Sequence, residues 1–254
     1  MTLLLLGLAG FGAGFTGSVA GLASLVSYPA LLAAGLPPVI ANTTNTVALT
    51  GSTIGTAVGS LLELKGQGPQ LLRLSTIFVV GGAAGGVLLL VTPSRAFEVA
   101  VPWLIALASI LLIASPRIRV RLENRRSAKG TQTQEGQLVF SSGVFAFIIA
   151  VYGGYFGAAS GVMLLALLST VWDQSLARNN AAKNIANGAA NLVAAVIFVV
   201  SGSVDWLAAV AVGAGALIGA RIGPMFVRRV PATPLRIAIG LAGIGLAISQ
   251  WVSL

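Results

Sequence analysis

Apolar runs dominate the chain and set its architecture. Uninterrupted stretches lie at about 38 to 62, 72 to 92, 97 to 115, 138 to 160, 177 to 202, 206 to 227 and 232 to 252, and a broken one runs from 3 to 36. A helix needs roughly 20 residues to cross about 30 Å of hydrocarbon, so each run is a candidate span. Backbone groups in lipid must bond within their own segment, and these runs are too long for barrel strands; the pattern predicts helices. Tyr28-Pro29 and Gly35-Leu36-Pro37-Pro38 interrupt the first stretch, since proline lacks a donor and clashes with the preceding turn. The piece from 22 to 35 rises only about 20 Å as a helix, and the piece from 161 to 172, which ends at Trp172-Asp173-Gln174-Ser175, is similarly short. The expected fold is an all-α integral membrane protein of about 8 hydrophobic segments. Each half opens on a broken or re-entrant stretch followed by three transmembrane helices.

The halves are copies. Gly14-Phe15-Thr16-Gly17-Ser18-Val19-Ala20-Gly21 recurs as Gly154-Tyr155-Phe156-Gly157-Ala158-Ala159-Ser160-Gly161, Asn42 recurs as Asn180, and Pro93 as Pro231, all in the same order. Landmarks repeating in order indicate duplication of one membrane unit, the signature of secondary transporters. The first repeat is expected over 1–115 and the second over 138–254. The linker at 116–137 carries Arg117, Arg119, Arg121, Arg125, Arg126 and Lys129; such a basic loop belongs in the cytoplasm. If each broken stretch crosses once, the halves point the same way and Arg228, Arg229 and Arg236 face outward. If it returns to its own side or crosses twice, the halves are inverted and Arg95 is the one basic residue in an outer loop. The second arrangement keeps the positive charge inside, so inverted-topology repeats are expected.

Composition narrows the function. Of 254 residues, 56% are hydrophobic and 8% charged, which a soluble domain does not show. The net charge of +9 sits at the ends of apolar runs, where it orients helices, so no nucleic-acid partner is implied. With no cysteine and no histidine, thiolate and imidazole metal sites and the usual general base are missing. No enzyme activity, cofactor or metal is expected. Met1-Thr2-Leu3-Leu4-Leu5-Leu6 lacks a basic n-region, so the first apolar stretch is expected to stay in the membrane.

Several residues are candidates for chemistry. Gly12-Ala13-Gly14-Phe15-Thr16-Gly17 fits a dinucleotide-binding glycine pattern, but no strand-like run precedes it and no acidic residue follows within twenty; that assignment is rejected. Gly14, Gly17 and Gly21, with Gly154, Gly157 and Gly161, either let helices approach closely or expose amides toward a bound anion. Asn42, Thr43 and Asn45 lie in the polar run that opens the helix after the first break. Asn180, Lys183, Asn184, Asn187 and Asn191 fall three or four apart on one face of its partner. Lys183 stands out, because an ammonium inside a membrane helix costs a few kcal/mol unless it meets a partner or snorkels toward the interface near Arg178. Arg221 poses the same alternative. All six acids lie at or near the ends of apolar runs, so no carboxylate relays protons at mid-membrane. A positive, amide-rich interior suits an anion. Trp172 and Trp206 are placed to anchor the interface.

The segment Gly14 to Gly21, then Tyr28-Pro29-Ala30-Leu31-Leu32 leading to Gly35-Leu36-Pro37-Pro38, then Ala41-Asn42-Thr43-Thr44-Asn45-Thr46-Val47-Ala48, resembles the first repeat of the sulfite exporter TauE/SafE family of membrane transporters. Arg178-Asn179-Asn180-Ala181-Ala182-Lys183-Asn184 and Ser201-Gly202-Ser203-Val204-Asp205-Trp206 resemble its second. The chain departs from the three consecutive glycines common in the first repeat, reading Ala20-Gly21-Leu22-Ala23. The resemblance implies transport of small sulfur-containing or organic anions such as sulfite or sulfonates across the bacterial cytoplasmic (inner) membrane. The expected partners are that small anionic substrate and the lipid bilayer. The expected site gathers Asn42, Thr43, Asn45, Asn180, Lys183, Asn184, Asn187 and the two glycine loops, with one repeat rocking against the other to alternate access. A passive anion channel sharing the same polar face is the alternative, and a non-transport scaffold the other.

Overall fold

The computed structural model describes residues 2–21, 23–128, 138–172, 174–227 and 232–252, all helix and turn without a strand among them. The first half comprises α1 (Thr2–Ala20), α2 (Ala23–Ala33), α3 (Pro38–Gly59), the single turn α4 (Leu61–Leu64), α5 (Gly68–Val91) and α6 (Ser94–Ala128). The second comprises α7 (Leu138–Tyr155), α8 (Ser160–Val171), α9 (Leu176–Val200), α10 (Trp206–Val227) and α11 (Ala232–Val252). Three segments, Gly68–Val91, Ser94–Arg117 and Ala177–Val200, are long and apolar enough to cross a membrane, and shorter apolar helices accompany them. The expected short pieces after each break appear as α2 and α8.

Local chemistry sets the boundaries. Proline opens α3 and stands in the first turn of α5, where its missing donor is one of the orphans of a helix start. The Ser175 hydroxyl accepts from the Arg178 amide at the start of α9. Gly21 (φ 73) and Gly157 (φ 79) end the first helix of each copy in a left-handed turn that a side chain disfavours.

The tightest seams join the two copies rather than lying within one. α1 packs on α10 and α5 on α7, while α3 packs on α10 and α9 on α5. A Cβ on Gly14 would overlap the Ala216 carbonyl, and one on Gly154 would overlap the Gly82 carbonyl. The reverse contacts repeat too: Gly219 meets the Phe11 carbonyl and Gly85 meets the Val151 carbonyl. Exchanging the copies therefore maps one seam onto the other, residue by residue. The result is two intertwined bundles, α1, α3 and α10 in one and α5, α7 and α9 in the other, each holding two helices of one copy and one of the other. They touch along α3 and α9, while α6 packs on α11. At the junction of α2, α6 and the end of α7, Phe156 packs edge-on against Tyr28 (5.3 Å) and Phe97 (6.3 Å).

Helix directions follow from the paired residues. Gly10 meets Val212 as Gly14 meets Ala216, so α1 and α10 run parallel; Gly82 meets Ala190 as Gly86 meets Ala194, so α5 and α9 do too. Between α3 and α9 the order reverses. Thr43, near the start of α3, bonds the Ser203 carbonyl just past the end of α9, and Arg178, near the start of α9, bonds the Lys65 carbonyl past the end of α3 at 3.1 Å.

Because both partners in these seams are backbone, no side chain can move aside to make room. Gly154→Leu is expected to lower the stability of the detergent-solubilised protein by about 1–3 kcal/mol or more, read as a drop in melting temperature. Gly143→Leu, at a glycine with open space around it, should leave it within about 0.5 kcal/mol.

Two boundaries differ from the sequence reading. Pro29 lies inside α2 rather than ending it; only the bond its ring nitrogen would donate is missing, and in a membrane helix neighbouring groups compensate for that. The breaks fall at Gly21 and, as expected, around Gly35-Leu36-Pro37. α6 extends through Arg117 and Glu123 to Ala128, since arginine, leucine and glutamate favour helix and continue it into the polar linker. Lys129, Glu135, Asp173, Arg228, Arg229 and Pro231 lie outside the described residues.

Candidate functional site

The two glycine breaks meet. A Cβ built on Gly21 would lie 3.5 Å from the Gly161 Cα and 3.5 Å from the Lys183 Nζ. One built on Gly161 would lie 3.1 Å from the Asn187 Nδ2 and 3.5 Å from the Lys183 Cδ. The glycine of each copy thus leaves room for the other and for the side chains of α9 that pass between them. Lys183 is 2% exposed, and its ammonium donates to the Asn180 Oδ1 at 2.8 Å. Of the two alternatives the sequence left open, the side chain takes the buried one and stays within the protein. Arg221, by contrast, is exposed near the end of α10.

The glycines divide by role. Gly14 and Gly154 sit inside helices against backbone of the other copy, and Gly17 lies close to Ala23 across the first break; these serve packing. Gly157 turns the chain between α7 and α8, and Gly21 and Gly161 line the crossing.

The amides of the first copy are partly committed. Asn45 donates to the Ser24 hydroxyl at 3.1 Å and accepts from Ser27 at 2.5 Å, tying α3 to α2. The Thr43 hydroxyl has the carbonyls of Val39, Ile40 and Ser203 within hydrogen-bond reach of its one proton, and Thr44 accepts from the Asp205 amide at 3.0 Å; both bring α3 against the loop before α10. Asn42 donates to the Tyr155 carbonyl at the end of α7 at 2.8 Å, while its Oδ1 is buried without a partner. In the second copy Asn184 and Asn187 are half-buried on α9. Matching Asn42 to Asn180 places Lys183 at the position of Asn45, and α8 has apolar Leu164 and Leu167 in place of Ser24 and Ser27. The copies are therefore unequal: one uses its amide as a brace, and the other sends a lysine across to the opposite break.

The description Sulfite exporter TauE/SafE matches residues 6–249, nearly the whole chain. The chain belongs to the sulfite exporter TauE/SafE family. It is 26% identical over 221 residues to a "Probable membrane transporter protein" of Haemophilus influenzae, covering 86% of this chain and 82% of that one. To the "Probable membrane transporter protein YfcA" of Escherichia coli K12 it is 26% identical over 216 residues, or 85% and 77% of the two chains. To the "Probable membrane transporter protein ORF9" of a Sinorhizobium species it is 26% identical over 247 residues, or 94% and 88%. No solved structure matches. As a member of this family, the chain is a membrane transporter.

Sequence pattern did not single out every polar group in this TauE/SafE chain. Arg178 donates to the Lys65 carbonyl and, at 3.2 Å, to the Gln174 Oε1, while Gln174 donates to Gln70 at 2.9 Å. This strap joins the loop before α9 to the loop before α5. Beside it Asn179 is 1% exposed with both amide atoms unpartnered, and the Gln67 Oε1 is buried without a donor. Four-residue spacing from Lys183 was the available signal for Asn179. Gln67, in a short loop, gave none. Trp206 is exposed at the start of α10, and Trp172 packs partly buried against the core cluster that includes Leu74 and Leu168.

Proposed function

We propose that the chain is a secondary transporter for a small anion, sulfur-containing as in sulfite or a sulfonate, working by alternating access in the bacterial cytoplasmic membrane. The observation that carries this is the buried Lys183 ammonium, held by Asn180 where the two glycine breaks cross. A buried cation is costly unless something compensates it, and intramembrane ionisable groups mark substrate pathways. The glycines leave backbone open beside it, which suits a compact oxyanion. Because the lysine is occluded rather than facing an open pore, a carrier is favoured over a channel.

Inverted-topology repeats are supported by the helix directions: α3 and α9 occupy equivalent places in the two copies and run opposite ways. The charges agree. Lys65 and Arg178 meet at one end of the bundles, which α6 approaches on its way to the basic linker; Arg95, Glu98 and Asp205 belong to the other. The first end is assigned to the cytoplasm. The moving bodies that this packing favours are the two intertwined bundles, since moving one repeat as a block would part the glycine seams.

The test is sulfite counterflow in proteoliposomes. A carrier saturates and exchanges labelled external sulfite for internal sulfite, whereas linear, unsaturated flux would mean a channel and no flux would leave sulfite without support. In the same vesicles, Lys65→Cys and Ser203→Cys should react with an impermeant maleimide from opposite sides; labelling from one side would sink the inverted arrangement.

A further inference from the structure

We propose that Asn179 is a binding residue for the transported anion, placed on the cytoplasmic side of Lys183; the assignment rests on the transporter reading above. Asn179, Lys183 and Asn187 recur every four residues and so form a file along one face of α9, spaced about 6 Å apart. The last two of the three pass directly beside Gly161, and Lys183 reaches Gly21. Asn179 extends that file by one turn toward the end where Arg178 bonds the Lys65 carbonyl.

The amide has no structural purpose that the fold reveals. It is 1% exposed, and neither its Nδ2 nor its Oδ1 has a partner. Leaving a buried amide unsatisfied is destabilising, so such groups are rare unless something else completes them. The first copy shows that the position does not require it. Asn42 matches Asn180, so Ala41 matches Asn179, and Ala41 is fully buried. A small apolar side chain fills the same place in the same helix. The second copy has exchanged it for a donor and an acceptor on the turn next to its lysine.

The chemistry fits an oxyanion in transit. The Nδ2 group can donate to an anionic oxygen, and the Oδ1 can accept from a protonated oxygen such as that of hydrogensulfite or from a water travelling with the ion. The Gln67 Oε1, also buried without a donor, lies two residues beyond Lys65 and supplies a second acceptor near the same end. The Arg178 contact ties α9, which carries Asn179, to the loop that carries Gln67.

The experiment compares the full-length parent with Asn179→Leu and Asn179→Ala, the second restoring the residue of the first copy. Sulfite flux is measured in proteoliposomes and melting temperature in detergent. Asn179→Leu is expected to melt about 2–4 °C higher, because an unsatisfied amide is replaced by an apolar group of similar size. Both variants are expected to raise the KM for sulfite about tenfold. An unchanged KM would overturn the assignment, and so would a lower melting temperature for Asn179→Leu, which would mean that the amide supports the fold. If the parent carries no sulfite, that failure belongs to the transporter reading. The melting arm still decides whether the amide is uncompensated: a rise supports a functional group held at a cost in stability, and a fall overturns it.

Discussion

Lys183→Met is expected to lower anion transport about tenfold or more while leaving the protein about as stable as the parent. Lys183 is buried to 2% exposure with its ammonium on Asn180, and keeping a charge out of water costs several kcal/mol. An apolar side chain of similar length removes that cost. If the charge is there for the substrate, transport falls even as melting temperature holds or rises. A charged hydrogen bond contributes about 1.5–3 kcal/mol, which corresponds to about a 10- to 150-fold loss of affinity. Both Lys183→Met and Lys183→Ala leave the Asn180 carbonyl without its donor, but Lys183→Ala is the poorer probe for stability because it also opens a cavity. Lys183→Arg should not rescue, since a planar fork does not fit where the Gly21 and Gly161 backbones come within van der Waals range. Sulfite flux and thermal melting of the three variants check this. Full flux in Lys183→Met would remove the ammonium from the site, and a sharp loss of stability would make it a structural ion.

How much of this was legible in the sequence depends on how local each signal is. Apolar runs, breaks and the duplicated glycine and asparagine landmarks are local, and they gave the helices, the short α2 and α8, and the pairing of copies. Charge at loop ends is nearly local and gave the expected orientation. Lys183 announced itself because an ammonium in an apolar run is rare. What the pattern left unresolved was decided by partners distant in sequence. Thr43 and Asn45 read as site residues on a helix wheel, and only the structure adds that they bond Ser203, Ser24 and Ser27. Gly14 and Gly154 look like Gly21 and Gly161, but the first pair meets backbone of the other copy while the second pair opens on the lysine. Asn179 becomes conspicuous only when its missing partners are counted. Pro29 warns of the reverse error, a strong local breaker that the surrounding helix absorbs.

The intertwined packing predicts a motion different from the rocking of one repeat against the other. The chain has no cysteine, so paired cysteines report without interference. Three staples lie within about 0.3 Å of disulfide geometry, whose Cβ separation is about 3.5–4.5 Å. A Cβ at Gly55 lies 3.8 Å from that of Ala220, and one at Gly86 lies 3.4 Å from that of Ala194. Both join different copies within one bundle, α3 to α10 and α5 to α9. A Cβ at Gly188 lies 3.2 Å from that of Thr53, joining α9 to α3 across the boundary between bundles; the Thr53→Cys change removes the methyl that crowds it. Oxidised Gly55→Cys/Ala220→Cys and Gly86→Cys/Ala194→Cys should keep sulfite flux within about twofold of their reduced forms, because these seams do not part. Oxidised Thr53→Cys/Gly188→Cys should lose flux and regain it on reduction, if the proposed alternation of access to Lys183 takes place along the line where the bundles meet. If the first two staples block transport and the third does not, the repeats themselves are the rocking bodies. The tight glycine seams would then have to open and close in every cycle, separating packed backbone that has no side chain to bridge the gap.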